Sequence, residues 1–144
     1  MEVILGKPQV RGNSDVVYNY AIPTAVSAGT ALKRTGDKEA AAFDGSGTPF
    51  AVAGYPDIKG KLAIAAVEAG KSVGVLLADV GETIEVGAQV YITANGKFTA
   101  VAGTSPANTP TAATFASQKG DAIDLVSGVK IANGGALIDM IGGF

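Results

Sequence analysis

The sequence predicts an all-β protein, a β-sandwich of jelly-roll type with an extended amino-terminal arm, and three observations lead there. Short runs rich in Val, Ile, Leu and Ala recur between 20 glycines and 6 prolines, the pattern of short strands joined by tight turns. Residues 16–22 alternate with period 2, setting Val16, Tyr18, Tyr20 and Ile22 on one face, where a helix would repeat every 3.6 residues. Asn95-Gly96 divides two apolar runs, and Asn-Gly is the strongest short-range hairpin signal, because a type I′ turn needs φ > 0 at both central residues. About ten strands at such spacing suit a sandwich or barrel. The chain, residues 1–144, is long enough for one domain around one core.

Residues 1–14 form the expected arm, in which the apolar run Val3-Ile4-Leu5 is followed by Gly6, Pro8 and Gly12-Asn13, residues that interrupt strand pairing. Pro23 stops the strand at 16–22. Residues 31–33 and 41–43 read as short strands about a Thr35-Gly36-Asp37 turn, and Asp44-Gly45-Ser46-Gly47 is a second turn before a strand at 50–53. Residues 61–67 have fair helix propensity, but Gly60 and Gly70 bracket a run shorter than most stable helices, so a strand is expected. Residues 73–78 lead into the hairpin. With a two-residue loop at Asn95-Gly96, Thr93 faces Phe98 and Ile92 faces Thr99. Tyr91, Thr93, Phe98 and Ala100 then share one face, and Val90, Ile92, Thr99 and Val101 the other. Residues 99–118 carry no charge, include Pro106, Asn108 and Pro110, and are expected as a long loop. Strands at 122–126, 129–132 and 136–141 close the domain, and Gly142-Gly143-Phe144 forms a tail.

Composition narrows the function. There are 13 acidic and 11 basic residues, a formal net charge of −2, and no block of like charge, which argues against a nucleic-acid ligand held by phosphate neutralisation. The basic pair Lys33-Arg34 is followed by Asp37-Lys38-Glu39 and is expected in a solvated loop. The absence of cysteine excludes disulfides and thiolate metal sites. No basic n-region precedes a long apolar h-region, and no stretch reaches the about 20 apolar residues of a membrane helix. A soluble protein made in the cytoplasm, without nucleic acid or membrane as partner, is expected.

With no histidine and no cysteine, the protein lacks the commonest general base near neutral pH and the strongest side-chain nucleophile. Glu82 and Glu85, like Asp121 and Asp124, are three apart, and on a strand such pairs point to opposite faces. Asp44-Gly45-Ser46-Gly47 matches neither a nucleophile elbow nor a calcium loop, and nothing in the sequence brings Asp57, Asp79 and Asp139 together as a cation site. The expectation is a non-enzyme without cofactor or metal. The candidate site is a partner-binding surface on the arm and the following strand: Val10, Arg11, Val16, Tyr18 and Tyr20. Tyrosine is enriched where proteins meet, although in most β domains tyrosines on one strand face belong to the core or cover the sheet.

Three stretches carry a family resemblance: the arm with Gly12-Asn13-Ser14-Asp15, the segment Ser27-Ala28-Gly29-Thr30-Ala31-Leu32, and Gly87-Ala88-Gln89-Val90-Tyr91-Ile92 leading into Asn95-Gly96-Lys97-Phe98. In these and in its small-residue composition the protein resembles the head decoration, or cement, proteins of tailed double-stranded-DNA bacteriophages, most closely the jelly-roll members from podophages. The resemblance implies a structural virion protein on the outer capsid surface. It would bind the major capsid protein as a dimer or trimer, span capsomer junctions and hold the shell against internal DNA pressure. A mean hydropathy of +0.30 agrees with apolar surface covered by other proteins. The alternative expectation is a non-catalytic carbohydrate- or protein-binding β-sandwich module of a phage tail or surface protein. Sugar stacking favours exposed aromatics, and the sequence has no Trp and 4 Tyr.

Overall fold

The computed structural model describes residues 17–21, 26, 29–56, 63–68, 75–78, 83–104, 107–119, 135–140 and 142–144. Among these there is no helix, and the strands form two sheets. The first is a closed five-stranded barrel, order β1-β3-β2-β4-β5, from β1 (Val17–Ala21), β2 (Ala31–Gly36), β3 (Glu39–Ala42), β4 (Pro49–Pro56) and β5 (Ala63–Glu68). The second is a five-stranded sheet, order β6-β10-β9-β7-β8, from β6 (Val75–Ala78), β7 (Gln89–Ile92), β8 (Phe98–Thr99), β9 (Thr109–Phe115) and β10 (Gly135–Asp139). All pairings are antiparallel except the contact that closes the barrel, a single parallel register of Ala21 on β1 with Glu39 on β3. Each sheet draws its described strands from one stretch of sequence, 17–68 and 75–139.

One core joins the two sheets. Ala31, Phe43 and Val52 from the barrel pack with Ile84, Val90, Ile92, Phe98, Ala113, Phe115, Ala136, Ile138 and Met140 from the second half. Ala31 pairs with Val52 across β2 and β4, and the next pair, Leu32 with Ala51, belongs to a separate cluster with Ala40 and Ala53. Successive side groups point to opposite faces of a strand, so this second cluster faces the barrel interior. Five strands enclose a narrow cylinder, and three of its four buried residues are alanines. Burial on both faces explains why these runs show no apolar–polar alternation.

Several expectations needed correction. The hairpin exists, but its register differs by one residue: Tyr91 pairs with Thr99 and Ile92 with Phe98. The Gly96 N–H donates to the Thr93 carbonyl at 2.9 Å, and the Thr93 N–H to the Lys97 carbonyl at 2.8 Å. Only Gly96 of the tip has positive φ, +73°. The loop is therefore three residues, Ala94-Asn95-Gly96, ending in a left-handed glycine. The reason is burial. In this register Val90, Ile92 and Phe98 share one face, and each is 0% exposed. A two-residue loop would place Phe98 on the face opposite Ile92 and forfeit a burial worth about 1.5–3 kcal/mol.

The uncharged stretch at 99–118 is not one loop, because β9 occupies Thr109–Phe115 in the middle of the second sheet. Its Thr111, Ala113 and Phe115 are buried while Pro110, Ala112 and Thr114 are exposed. Between Gln89 and Tyr91 the register on β9 shifts, from Gln89–Thr114 to Tyr91–Pro110. The Thr111 hydroxyl stitches this bulge, donating to the Val90 carbonyl at 2.7 Å and accepting the Ala113 N–H at 3.1 Å. Lys33 and Arg34 lie on β2 rather than in a loop, with the Arg34 guanidinium 4.7 Å from the centre of the Phe50 ring. Phe144 is not a free tail; it packs on the shared core with its ring centre 5.9 Å from that of Phe98. The arm at 1–14 and the strands expected at 122–126 and 129–132 lie outside the described residues.

Candidate partner-binding surface

Of the residues singled out in the sequence, Val10, Arg11 and Val16 lie outside the described residues, while Tyr18 and Tyr20 fall on β1. They occupy alternate positions, paired with Ala66 and Ile64 of β5. β1 is therefore the strand at which the barrel closes. On its β5 side it is paired along its whole length, from Val17 to Ala21; on its β3 side the ladder holds one residue, Ala21. Among the described residues, 17–20 thus keep one backbone edge outside the barrel ladder. Such an edge is a template for an added strand.

A second surface was not expected. On the side of the second sheet away from the core, Gln89 stands opposite Thr114 and Tyr91 opposite Pro110, and Ala112 and Ala116 continue the exposed side of the β9 segment. None of the six is charged; the next residue in register is Asp139, opposite Thr114 on β10. The face is held in shape by its own bonds. Gln89 Nε2 donates to the Thr111 carbonyl at 2.9 Å, and the Tyr91 hydroxyl donates to Gln89 Oε1 at 3.2 Å. Side chains already fixed lose less entropy when a partner covers them. At the end of the sheet away from the hairpin tip, Val86 and Val101 remain 63% and 50% exposed. The signal in the sequence was the alternation at 110–116, hidden because Ala and Thr occupy both faces.

An acid, a base and a hydroxyl meet at Lys33, Asp44 and Ser46. Lys33 Nζ lies 2.9 Å from Asp44 Oδ1 and 3.1 Å from Ser46 Oγ. The Ser46 hydroxyl donates to Asp44 Oδ1 at 2.6 Å and its N–H to the same oxygen at 3.0 Å. The Ser46 hydroxyl, then the Lys33 ammonium and the Ser46 N–H, hold the Asp44 carboxyl well below the usual carboxylate range. Such a carboxylate is a poor base, and Lys33 donates to the hydroxyl rather than removing its proton. The cluster is a latch: it fixes the 44–47 turn, where a Cβ on Gly45 would lie 3.2 Å from Ala94 Cβ on the hairpin tip. Among the described residues no three His, Cys, Asp or Glu groups gather as a metal site, and no helix is long and apolar enough to cross a membrane. Comparison with protein-family models, characterised proteins and solved structures gave no match.

Proposed function

We propose that the protein is a non-enzymatic decoration, or cement, protein of a phage head, binding the major capsid protein on the outside of the assembled shell as a dimer or trimer. The observation that carries this reading is the uncharged patch of Gln89, Tyr91, Pro110, Ala112 and Thr114 on the outer face of the second sheet, bordered by Asp139 opposite Thr114. Interface centres are depleted in charge and enriched in tyrosine. The β1 edge that residues 17–20 leave outside the ladder among the described residues, together with the arm expected before it in sequence, supplies a second contact, in line with a role for Val10, Arg11, Val16, Tyr18 and Tyr20. Two contacts repeated over a symmetric shell add avidity without requiring strong binding at either one. The jelly-roll form of the fold belongs to this same reading. It is supported by ten described strands in two sheets and opposed by their distribution in two consecutive blocks, since Greek-key connections interleave strands.

Co-sedimentation with purified shells tests the proposal. The full-length protein is expected to pellet with shells at a saturating ratio, and the variant lacking residues 1–14 to keep its circular dichroism but lose most binding. A Thr114→Glu variant, changed at an exposed position, should fold and bind less. A full-length protein that stays in the supernatant at every shell concentration overturns the reading; one that instead binds a glycan array favours the tail-module alternative.

A further inference from the structure

The hairpin tip joins two properties that conflict. Asn95 is exposed, and Asn-Gly is the dipeptide most prone to deamidation, because glycine offers no side group to hinder ring closure. Gly96, in contrast, is buried and tied into the barrel. Its carbonyl accepts the Ala31 N–H at 2.8 Å and its N–H donates to Thr93 at 2.9 Å. A Cβ at this position would lie 2.8 Å from Thr30 Cγ2 and 3.3 Å from the carbonyl oxygens of Ala31 and Phe43.

We propose that Asn95-Gly96 is a deamidation site gated by the seating of this tip on the barrel: slow while the tip is docked, and preventing re-docking once the isoaspartate product has formed. In the reaction the Gly96 backbone nitrogen loses its proton and attacks Asn95 Cγ. The new bond between that nitrogen and Cγ closes a succinimide, the bond from Cγ to Nδ2 breaks, and ammonia leaves with the proton. Water then opens the ring at either carbonyl, giving aspartate or isoaspartate. The attacking nitrogen is the one whose proton is held by the Thr93 carbonyl, so closure breaks that bond, and turning its amide plane shifts the Gly96 Cα, which is packed against Thr30, Ala31 and Phe43 and carries the carbonyl bound to Ala31. Closure therefore passes through a state in which the tip has left the barrel, and its rate reports the population of that state. Isoaspartate inserts an extra backbone carbon into a three-residue loop. The Thr93–Lys97 pairing and the Gly96–Ala31 bond then cannot both be restored.

Peptide mapping by mass spectrometry of the full-length protein, incubated at mildly alkaline pH with and without unfolding urea, measures the gate. Residue 95 is expected to deamidate at least about tenfold more slowly in the folded protein, as local opening of a docked element implies. Molecules carrying isoaspartate at 95 should lose hydrogen-exchange protection at the Ala31 amide, whereas Asn95→Asp, with a normal backbone, should keep it. Equal rates with and without urea overturn the gate. Retained Ala31 protection in the isoaspartate form, or its loss in Asn95→Asp, overturns the claim that the extra backbone atom blocks docking.

Discussion

Hairpins β2–β3 and β7–β8 each place a left-handed residue in the turn: Lys38 at φ 54°, in the two-residue turn closed by the Gly36–Glu39 pair, and Gly96 at φ 73°, the last residue of the loop closed by Thr93 and Lys97. At the first tip Gly36, Asp37 and Lys38 are all exposed, and there the Lys38 Cβ bears only the intrinsic cost of a left-handed backbone. At the second the left-handed residue is buried against Thr30, Ala31 and Phe43, and only hydrogen fits where a Cβ would project. Both turns thus need one left-handed residue, and which residue can fill that position is set by what lies beyond it. Glycine at 96 serves the joint between the two sheets more than the turn itself.

The sharpest way to break this comparison is Gly96→Val, which combines a β-branched residue at positive φ with overlap at Thr30 and should destabilise by about 2–5 kcal/mol. Urea denaturation reads the loss, and an unchanged midpoint would mean that the tip is not seated. Thr111→Val comes next. It keeps the shape but removes the hydroxyl that bonds the Val90 carbonyl and the Ala113 N–H inside the sheet, for about 1–3 kcal/mol; a neutral result would mean that the bulge does not need its stitch. Lys38→Gly should be the mirror of the first change. Relief of left-handed strain is offset by a more flexible unfolded state, so stability shifts upward by no more than about 1 kcal/mol, and a clear loss would place Lys38 in a contact of its own.

The smallest effect concerns the latch beside the docked tip. The Asp44 carboxyl titrates lower in the folded protein than its ordinary value of 3.8. Its contribution is therefore complete above that value and is lost as pH falls towards the folded-state pKa. Asp44→Asn should melt earlier than the parent at neutral pH, with the gap closing on acidification below about pH 4. A gap that widens in acid would contradict the arrangement.

These two hairpins also mark what was legible in the sequence. Glycine spacing and the period-2 run at 16–22 placed most strands, and Asn95-Gly96 located the second hairpin, because turn chemistry is local. Its register was not legible. Asn-Gly suits a two-residue type I′ loop, but the decision lay with Phe98, whose burial depends on residues as distant as Phe43 and Phe144. β9 was hidden for a related reason: Thr111 and Thr114, or Ala112 and Ala113, are chemically alike and differ only in the side of the sheet they face. The outer face around Tyr91 could not be read before that strand was placed. The Lys33–Asp44 contact spans a hairpin and needed the β2–β3 pairing first.

The proposal that the protein stabilises a phage shell by covering it is tested most directly by the rupture temperature of DNA-filled heads. Heads stripped of the protein and then saturated with the full-length form should release DNA at a higher temperature than stripped heads. Thr114→Glu, added at the same concentration, should restore less of the difference. Stripped and saturated heads that rupture at the same temperature, with the protein demonstrably bound, would contradict the account.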